Sequence, residues 1–413
     1  MPGAGHGAEP APIVKIADMD RSGIMIDAGP KLKLGHHPDI PMIPASTLKI
    51  LTGLAAIEHW GLDHHFSTRF YLDDENRLWI EGRGDPSLDT EELDRIVAGL
   101  TAAGVHQIRG VGADGSYFSQ YTEIPGRTPD SWAAYDAPVT ALAFNYNSVA
   151  LTVNGDKVTS FEKETPLTPT AIAIGKTPEV GKNSFRASVR TPQAALQQAG
   201  ELVFARLDAS EIDTTGNVIQ GKIPTGAQLV YTHVSRKSLG DIVMLMLKYS
   251  NNVIANTLFL KMSDQKNGWP IDTDSARRHM MAWARRRFGW NSVTIEEGAG
   301  LSRGNAITPR QMINVVKAFA PYRDLLKVQR DDERVKAKTG GLKGVYTYAG
   351  FSKRGLDWVP FSVMINEQVE SRYLLFQVAS QIADSSSLME LCQTLDCETG
   401  AMTTDAPPNT IGP

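Results

Sequence analysis

The sequence predicts a multi-domain protein of mixed α and β structure, with a mostly β domain inserted into a discontinuous, helix-rich one. Three observations predict it. The chain has 413 residues, more than the roughly 100–200 of a typical domain. Helical periodicity of apolar residues is strong from Ser46 and again after about Ser235. Between them, short apolar runs are broken by Gly, Pro, Asn and Thr, as in consecutive strands.

In chain order, residues 13–17 and 23–28 read as two short strands joined by a turn at 18–22. Leu48, Leu51, Leu54, Ala55 and Ile57 then give one apolar helical face that continues to about Trp60. Strand-like pieces at 68–72 and 78–81 precede the turn-rich 82–88 and a helix near 90–103. Residues 106–230 read as largely β, with one helix near 192–207. Two adjoining apolar helical patterns follow, carried by Leu239, Ile242, Val243 and Met246 and then by Val253, Ile254, Leu258 and Leu260. Helices near 274–288 and 309–320, strands at 335–338, 345–352 and 358–365, and a long amphipathic helix over about 371–395 complete the chain. The expected domains are 1–66 with 229–395, an insert at 67–228 with a small subdomain near 155–190, and a flexible tail at 396–413. No internal repeat is present.

Composition excludes several classes. An apolar fraction of 42% with 21% charged residues is globular rather than disordered. A net charge of −4 argues against a nucleic-acid binder, which would carry a basic excess. No apolar stretch reaches the roughly 18 residues of a membrane span. Two cysteines exclude a disulfide-rich scaffold and a four-thiolate zinc site. Cys392 and Cys397 are open to two readings, unpaired thiols in a cytosolic protein or a local disulfide in an oxidising compartment. The first residues lack the positive start and apolar core of a secretory signal.

Some signals are weak. Gly110, Gly112 and Gly115 satisfy GxGxxG, but the following SYFSQYTEIPG is no helix start, so a glycine-rich turn is expected. The histidines form no HExxH, and the adjacent His64 and His65 would point apart. Arg277, Arg278, Arg285, Arg286 and Arg287 read as a solvated helix face.

Three short motifs carry chemistry together. Ser46-Thr-Leu-Lys49 puts a hydroxyl and an amine on one face of a first helical turn, where free amides favour a developing anion. Ser250-Asn-Asn252 interrupts two apolar helical patterns. Lys338-Thr339-Gly340 sits on a strand, where Gly permits close approach of another chain and Lys and Thr can hold a carboxylate. Singly each is modest. The succession SxxK, S-[DN]-N, KTG resembles the penicillin-interactive serine enzymes.

The long interval from Ser46 to Ser250 is similar to the class C low-molecular-mass penicillin-binding proteins, the D-alanyl-D-alanine carboxypeptidase/endopeptidase family. So are PASTLKI, GRGDPSL, GVGADGSYF, YDAPVTALAFNYNSVALTV, EGAGLSRGN and AKTGGLKGVYTYAGF. The resemblance covers about residues 40–390 and implies a transpeptidase/β-lactamase-like catalytic domain, an antiparallel sheet flanked by helices. It implies that Ser46 attacks the penultimate D-Ala of a peptidoglycan stem peptide and forms an acyl-enzyme that water hydrolyses. The same site could cut D-Ala–diaminopimelate cross-links, and β-lactams would act as covalent inhibitors. Lys49 would be the base, which requires an amine neutral for part of the time, as burial and cations such as Lys338 would favour. Ser250 would relay a proton to the leaving amine, and Asn252 would hold substrate and lysine. The backbone amides of Ser46 and Gly341 would form the oxyanion hole, while Lys338 and Thr339 bind the terminal carboxylate and Gly340 keeps the strand flat. No metal or other cofactor is implied, nor a nucleic-acid partner, and a homo-oligomer is compatible with the chain.

Three features depart from the pattern. Gly341 stands where relatives usually have Thr or Ser, so one hydroxyl near the carboxylate is missing. Glu297 and Ala299 stand where the pattern reads Asp and Ser. A cell-wall substrate implies a periplasmic or extracytoplasmic location, so a signal segment is expected to have been removed; that location favours a Cys392–Cys397 disulfide. Two alternatives compete. A serine β-lactamase would need a deacylation base, and no Glu-x-x-Leu-Asn stretch is evident. A non-catalytic wall-binding module would be expected to lose Ser46 or Lys49.

Overall fold

The computed structural model describes residues 11–30, 32–119, 122–180, 183–264, 268, 270–369, 372–384, 388–393 and 395–398. Numbered along the chain, the helices are α1 (Pro12–Ala17), α2 (Leu48–Trp60), α3 (Thr90–Ala102), α4 (Pro169–Gly175), α5 (Pro192–Asp208), α6 (Leu239–Tyr249), α7 (Asn252–Lys261), α8 (Thr273–Phe288), α9 (Pro309–Ala318) and α10 (Tyr373–Asp384). The strands are β1 (Ser22–Asp27), β2 (Lys33–His36), β3 (His65–Leu72), β4 (Leu78–Glu81), β5 (Gln107–Ile108), β6 (Val111–Asp114), β7 (Ser148–Asn154), β8 (Lys157–Ser160), β9 (Asn183–Ser188), β10 (Asp213–Thr214), β11 (Val218–Gln220), β12 (Gln228–Ser238), β13 (Val328–Gln329), β14 (Asp332–Leu342), β15 (Val345–Arg354), β16 (Asp357–Ile365) and β17 (Asp396–Glu398).

Two compact units divide the chain, Met1–Met42 with Ile307–Arg323 and Val328–Pro413, and Ile43–Ala306 with Asp324–Lys327. In the first, a seven-stranded sheet runs β13-β14-β15-β16-β1-β2-β17, and all its pairs are antiparallel. Ile24, Ile26, Val335, Ala337, Phe361 and Val363 alternate along their strands and meet Ile13 and Ile16 of α1 and Val378 and Ile382 of α10 in one core. The other face takes α9, where Gly23 has no room for a side chain because a Cβ there would lie 2.8 Å from Pro309. Helices thus cover both sides of the antiparallel sheet, as the resemblance implies.

In the second unit, a five-stranded sheet runs β11-β6-β4-β3-β12. Its core joins Phe70, Ile80 and Val111 to Leu93, Ile96 and Leu100 of α3 and Leu202 and Val203 of α5. A three-stranded sheet, β8-β7-β9, has its own core with α4. The rest is a helical cluster in which α2 packs on α6 and α7, and α7 on α8. Caps start these helices where the sequence changes period. Ser238 and Asp241 form a capping box on α6, as Asp272 and Ser275 do on α8.

Several elements differ from expectation. Residues 13–17 are helical: Pro12 occupies the first helical turn, and Ile13 and Ile16, three apart, face one core. Six residues are too few for periodicity to separate helix from strand. Residues 67–228 carry α3, α4 and α5 beside their strands, and α4 was not expected, although Thr168 caps it and Pro169 opens it. In place of one helix to about residue 395, α10 covers Tyr373–Asp384 and a separate 3-10 turn covers Leu388–Gln393; residues 385–387 lie outside the described residues. Residues 396–398, expected in the flexible tail, form β17 against β2, and the remainder of that tail lies outside the described residues. The units part at 42/43 and 306/307 rather than at 66/67 and 228/229. Strands β3 and β12 span both expected boundaries and pair with each other from Leu72 and Gln228 to His65 and Ser238, tying the ends of residues 67–228 to the helical cluster.

Candidate active site

Ser46 lies in a 3-10 turn, Ala45–Thr47, that runs into α2. Ala45 has a φ of 45°, a left-handed conformation that L side chains adopt at a cost of about 1–2 kcal/mol. Its surroundings impose it. Thr47 Oγ1 donates to Pro44 O at 2.6 Å, and Gly300 presses against the Ala45 carbonyl so closely that a Cβ at 300 would lie 1.8 Å from its oxygen.

One turn later, Lys49 is fully buried. Its Nζ lies 2.9 Å from Ser46 Oγ, 2.7 Å from Asn252 Oδ1 and 2.7 Å from Ala299 O. These three partners are neutral oxygens, and together they aim the amine at the hydroxyl. Ser250 ends α6 in the left-handed region, with φ of 56°. Asn251 caps α7 by accepting from Ile254 N, and Asn252 opens that helix with its Nδ2 donating to Tyr135 O at 2.8 Å. The Ser-Asn-Asn run is therefore a helix break with capping that also delivers an amide to Lys49.

The Ala299 carbonyl belongs to a loop organised by Glu297, which is completely buried. Its carboxylate accepts from the backbone amides of Ala299 and Leu301 and from Asn305 Nδ2, each at 2.7 Å, and from Asn256 Nδ2 at 3.1 Å. Asn256 Oδ1 and Thr52 Oγ1 hold Gly298 from α7 and α2. Sequence reasoning saw Glu297 only as a departure. Its neighbours gave no signal, because a backbone carbonyl acting as acceptor leaves no residue preference behind.

In the other unit, Lys338, Thr339, Gly340 and Gly341 lie on β14, opposite Ala349, Tyr348, Thr347 and Tyr346 of β15. Lys338 is 4% exposed and donates to Thr339 O at 2.6 Å. Thr339 and Gly341 share one face of the strand and are exposed.

The remaining candidates do not form a site. After Gly110, the chain enters β6, and no helix follows Gly115; the space a side chain at Gly112 would need is taken by the Trp79 ring. Among the described residues, no group of three or more His, Cys, Asp or Glu could hold a metal ion, and no helix is long and apolar enough to cross a membrane. Cys392 and Cys397 are bonded to each other, with Cα atoms 5.4 Å apart.

Comparison with known proteins places these motifs in context. The family model described as the D-Ala-D-Ala carboxypeptidase 3 (S13) family matches residues 19–184 and 173–330. A D-alanyl-D-alanine carboxypeptidase of Actinomadura sp. (strain R39) is 24% identical over 406 residues, covering 79% of this chain and 73% of that protein. Among solved structures, penicillin binding protein 4 (dacB) from Haemophilus influenzae superposes with a TM-score of 0.68 at 21% identity, over 90% of this chain and 99% of that one. A predatory peptidoglycan endopeptidase from Bdellovibrio bacteriovorus gives a TM-score of 0.51 at 16% identity, over 95% and 96%.

Proposed function

The chain belongs to the D-Ala-D-Ala carboxypeptidase 3 (S13) family of serine-type enzymes, and on that premise we propose that it removes the terminal D-Ala of peptidoglycan stem peptides through an acyl-enzyme on Ser46. The observation that carries this reading is the fully buried Lys49 amine, 2.9 Å from Ser46 Oγ and fixed by Asn252 and Ala299. A serine hydroxyl needs a base within hydrogen-bond reach to become a nucleophile.

Ser46 Oγ attacks the penultimate D-Ala carbonyl while its proton passes to Lys49 Nζ. The oxyanion is assigned to the backbone amides of Ser46 and Gly341; one such donor is typically worth about 100- to 1000-fold in rate. The proton then reaches the departing amine through Ser250, the C–N bond breaks, and D-Ala leaves. Water attacks the ester, returning a proton to Ser46 and freeing the shortened peptide. Asn252 keeps Lys49 in place and holds the substrate amide. Lys338 and Thr339 receive the terminal carboxylate on β14, where Gly340 adds no bulk. In this reading residues 67–228 are an insert in the catalytic domain.

A β-lactam ring offers Ser46 the same carbonyl and leaves a slow ester, so penicillins should block the enzyme. The chemistry also suits a D-Ala–diaminopimelate cross-link, whose scissile amide follows the same D-Ala carbonyl. Such substrates lie outside the cytoplasm, the location the reading requires. Fluorescent penicillin should label the protein once, and peptide mapping should place the label on Ser46. Lys49→Ala should slow labelling at least about 100-fold. Label on another residue, or labelling of Lys49→Ala at the wild-type rate, removes the mechanism.

A further inference from the structure

Position 341 carries no side chain, yet the space beside it is not empty. Arg372, just before α10, lays its guanidinium over Gly341. A Cβ added at Gly341 would lie 3.2 Å from Nη1, 3.3 Å from Cζ and 3.4 Å from Nη2. Those distances are tighter than ordinary van der Waals contact, so a side chain at 341 would push the guanidinium from this position. The guanidinium is also seated on the ring of Tyr346, directly across the ladder from Gly341, with Cζ 5.1 Å from the ring centroid.

We propose that Arg372 binds the substrate's terminal carboxylate, supplying from across the strand the polar contact that a glycine at position 341 cannot. The inference rests on the DD-peptidase reading above. Thr339 and Gly341 are two residues apart on one exposed face of β14, so a carboxylate held by Thr339 lies along the face that Arg372 covers. The edge of β14 is paired by β13 only at Asp332 and Lys336, ahead of the Lys-Thr-Gly run. That leaves the right stretch of strand for an extended peptide to align on. A guanidinium offers two parallel N–H donors matched to a carboxylate, which a hydroxyl does not. Glycine is then the residue at 341 that lets the arginine approach.

Arg372→Ala should raise KM for a D-Ala-D-Ala peptide about 10- to 100-fold, the range expected for a charged hydrogen-bonded contact, with kcat changed less than about threefold. Arg372→Lys should recover part of the loss. Gly341→Thr should worsen KM in the wild-type background, because it displaces the guanidinium. In the Arg372→Ala background it should improve KM, because it adds a hydroxyl where the guanidinium was. Stoichiometric penicillin labelling of Ser46 in each variant shows that the catalytic site has folded. If the wild type cleaves the peptide and Arg372→Ala has the same KM, or the two substitutions are additive, the assignment to Arg372 is wrong and the DD-peptidase reading stands. If the wild type neither labels nor cleaves, the DD-peptidase reading itself falls.

Discussion

Glu297 is the residue on which the geometry of Lys49 depends at one remove. It fixes the loop whose Ala299 carbonyl receives the lysine amine, and its carboxylate is completely buried with backbone and side-chain donors around both oxygens. Glu297→Gln keeps the size but turns an N–H2 group toward donors, leaving buried groups unsatisfied. The expected cost is on the order of 2–4 kcal/mol of stability, read by denaturant unfolding, together with slower acylation of Ser46 in the fraction that remains folded. Unchanged acylation would remove Glu297 from any positioning role. Ser46 and Lys49 were readable in advance, because three residues on a helix place two side chains on one face. The acceptors of Lys49 were only half readable: Asn252 stood in a motif, whereas Ala299 acts through its main chain.

The helix that begins with Asn252 ends on another lysine, whose amine is partly buried. Lys261 donates to Arg83 O and lies 5.5 Å and 4.9 Å from the ring centroids of Phe66 and Tyr117. Burial first, and the Arg83 charge second, lower its pKa from 10.5 to about 8. Between those values the unfolded chain binds the proton and the folded one does not, so this group makes stability rise with pH from about 8 to about 10.5. Below pH 8 its full cost is present. Lys261→Met should flatten that rise in denaturant midpoints measured from pH 7 to 10.5, and parallel wild-type and variant curves would contradict the assignment. Element starts were legible where a cap precedes a long periodic run, as at Thr191-Pro192 before α5, but not at the similar Thr168-Pro169 before the seven-residue α4. The strand ends were less so: β12 continues to Ser238, and β14 extends beyond its predicted strand through Gly341. Their pairing partners, β3 and β15, support residues whose own pattern is mixed.

Across the whole molecule, each compact unit has hydrophobic cores of its own. Unfolding should therefore depart from two-state behaviour, with a calorimetric enthalpy above the van't Hoff value. The Cys392–Cys397 bond lies in the first unit, where β17 closes the edge of the seven-stranded sheet on β2 and both cysteines pack on that unit's core. Closing so short a loop is worth about 2 kcal/mol by chain entropy. Reduction should lower the transition of that unit and leave the other in place. Thiol titration should find no free thiol before reduction and two after it. A uniform shift of both transitions would show that the units do not unfold separately.

Amino-acid order by itself determined the mixed α and β class, the succession of Ser46–Lys49, Ser250–Asn252 and Lys338–Gly340, and the helix start that carries Ser46. These depend on spacing along one backbone, which helix and strand geometry convert directly into direction. The meeting of Asn252 with Lys49 across 203 residues was implied by the resemblance and is seen in the fold, while only the tertiary structure decided that Glu297 governs the loop behind Lys49 and that Arg372 occupies the space left at Gly341. Such contacts depend on which elements pack together and on the volume each side chain leaves, and no local period records either.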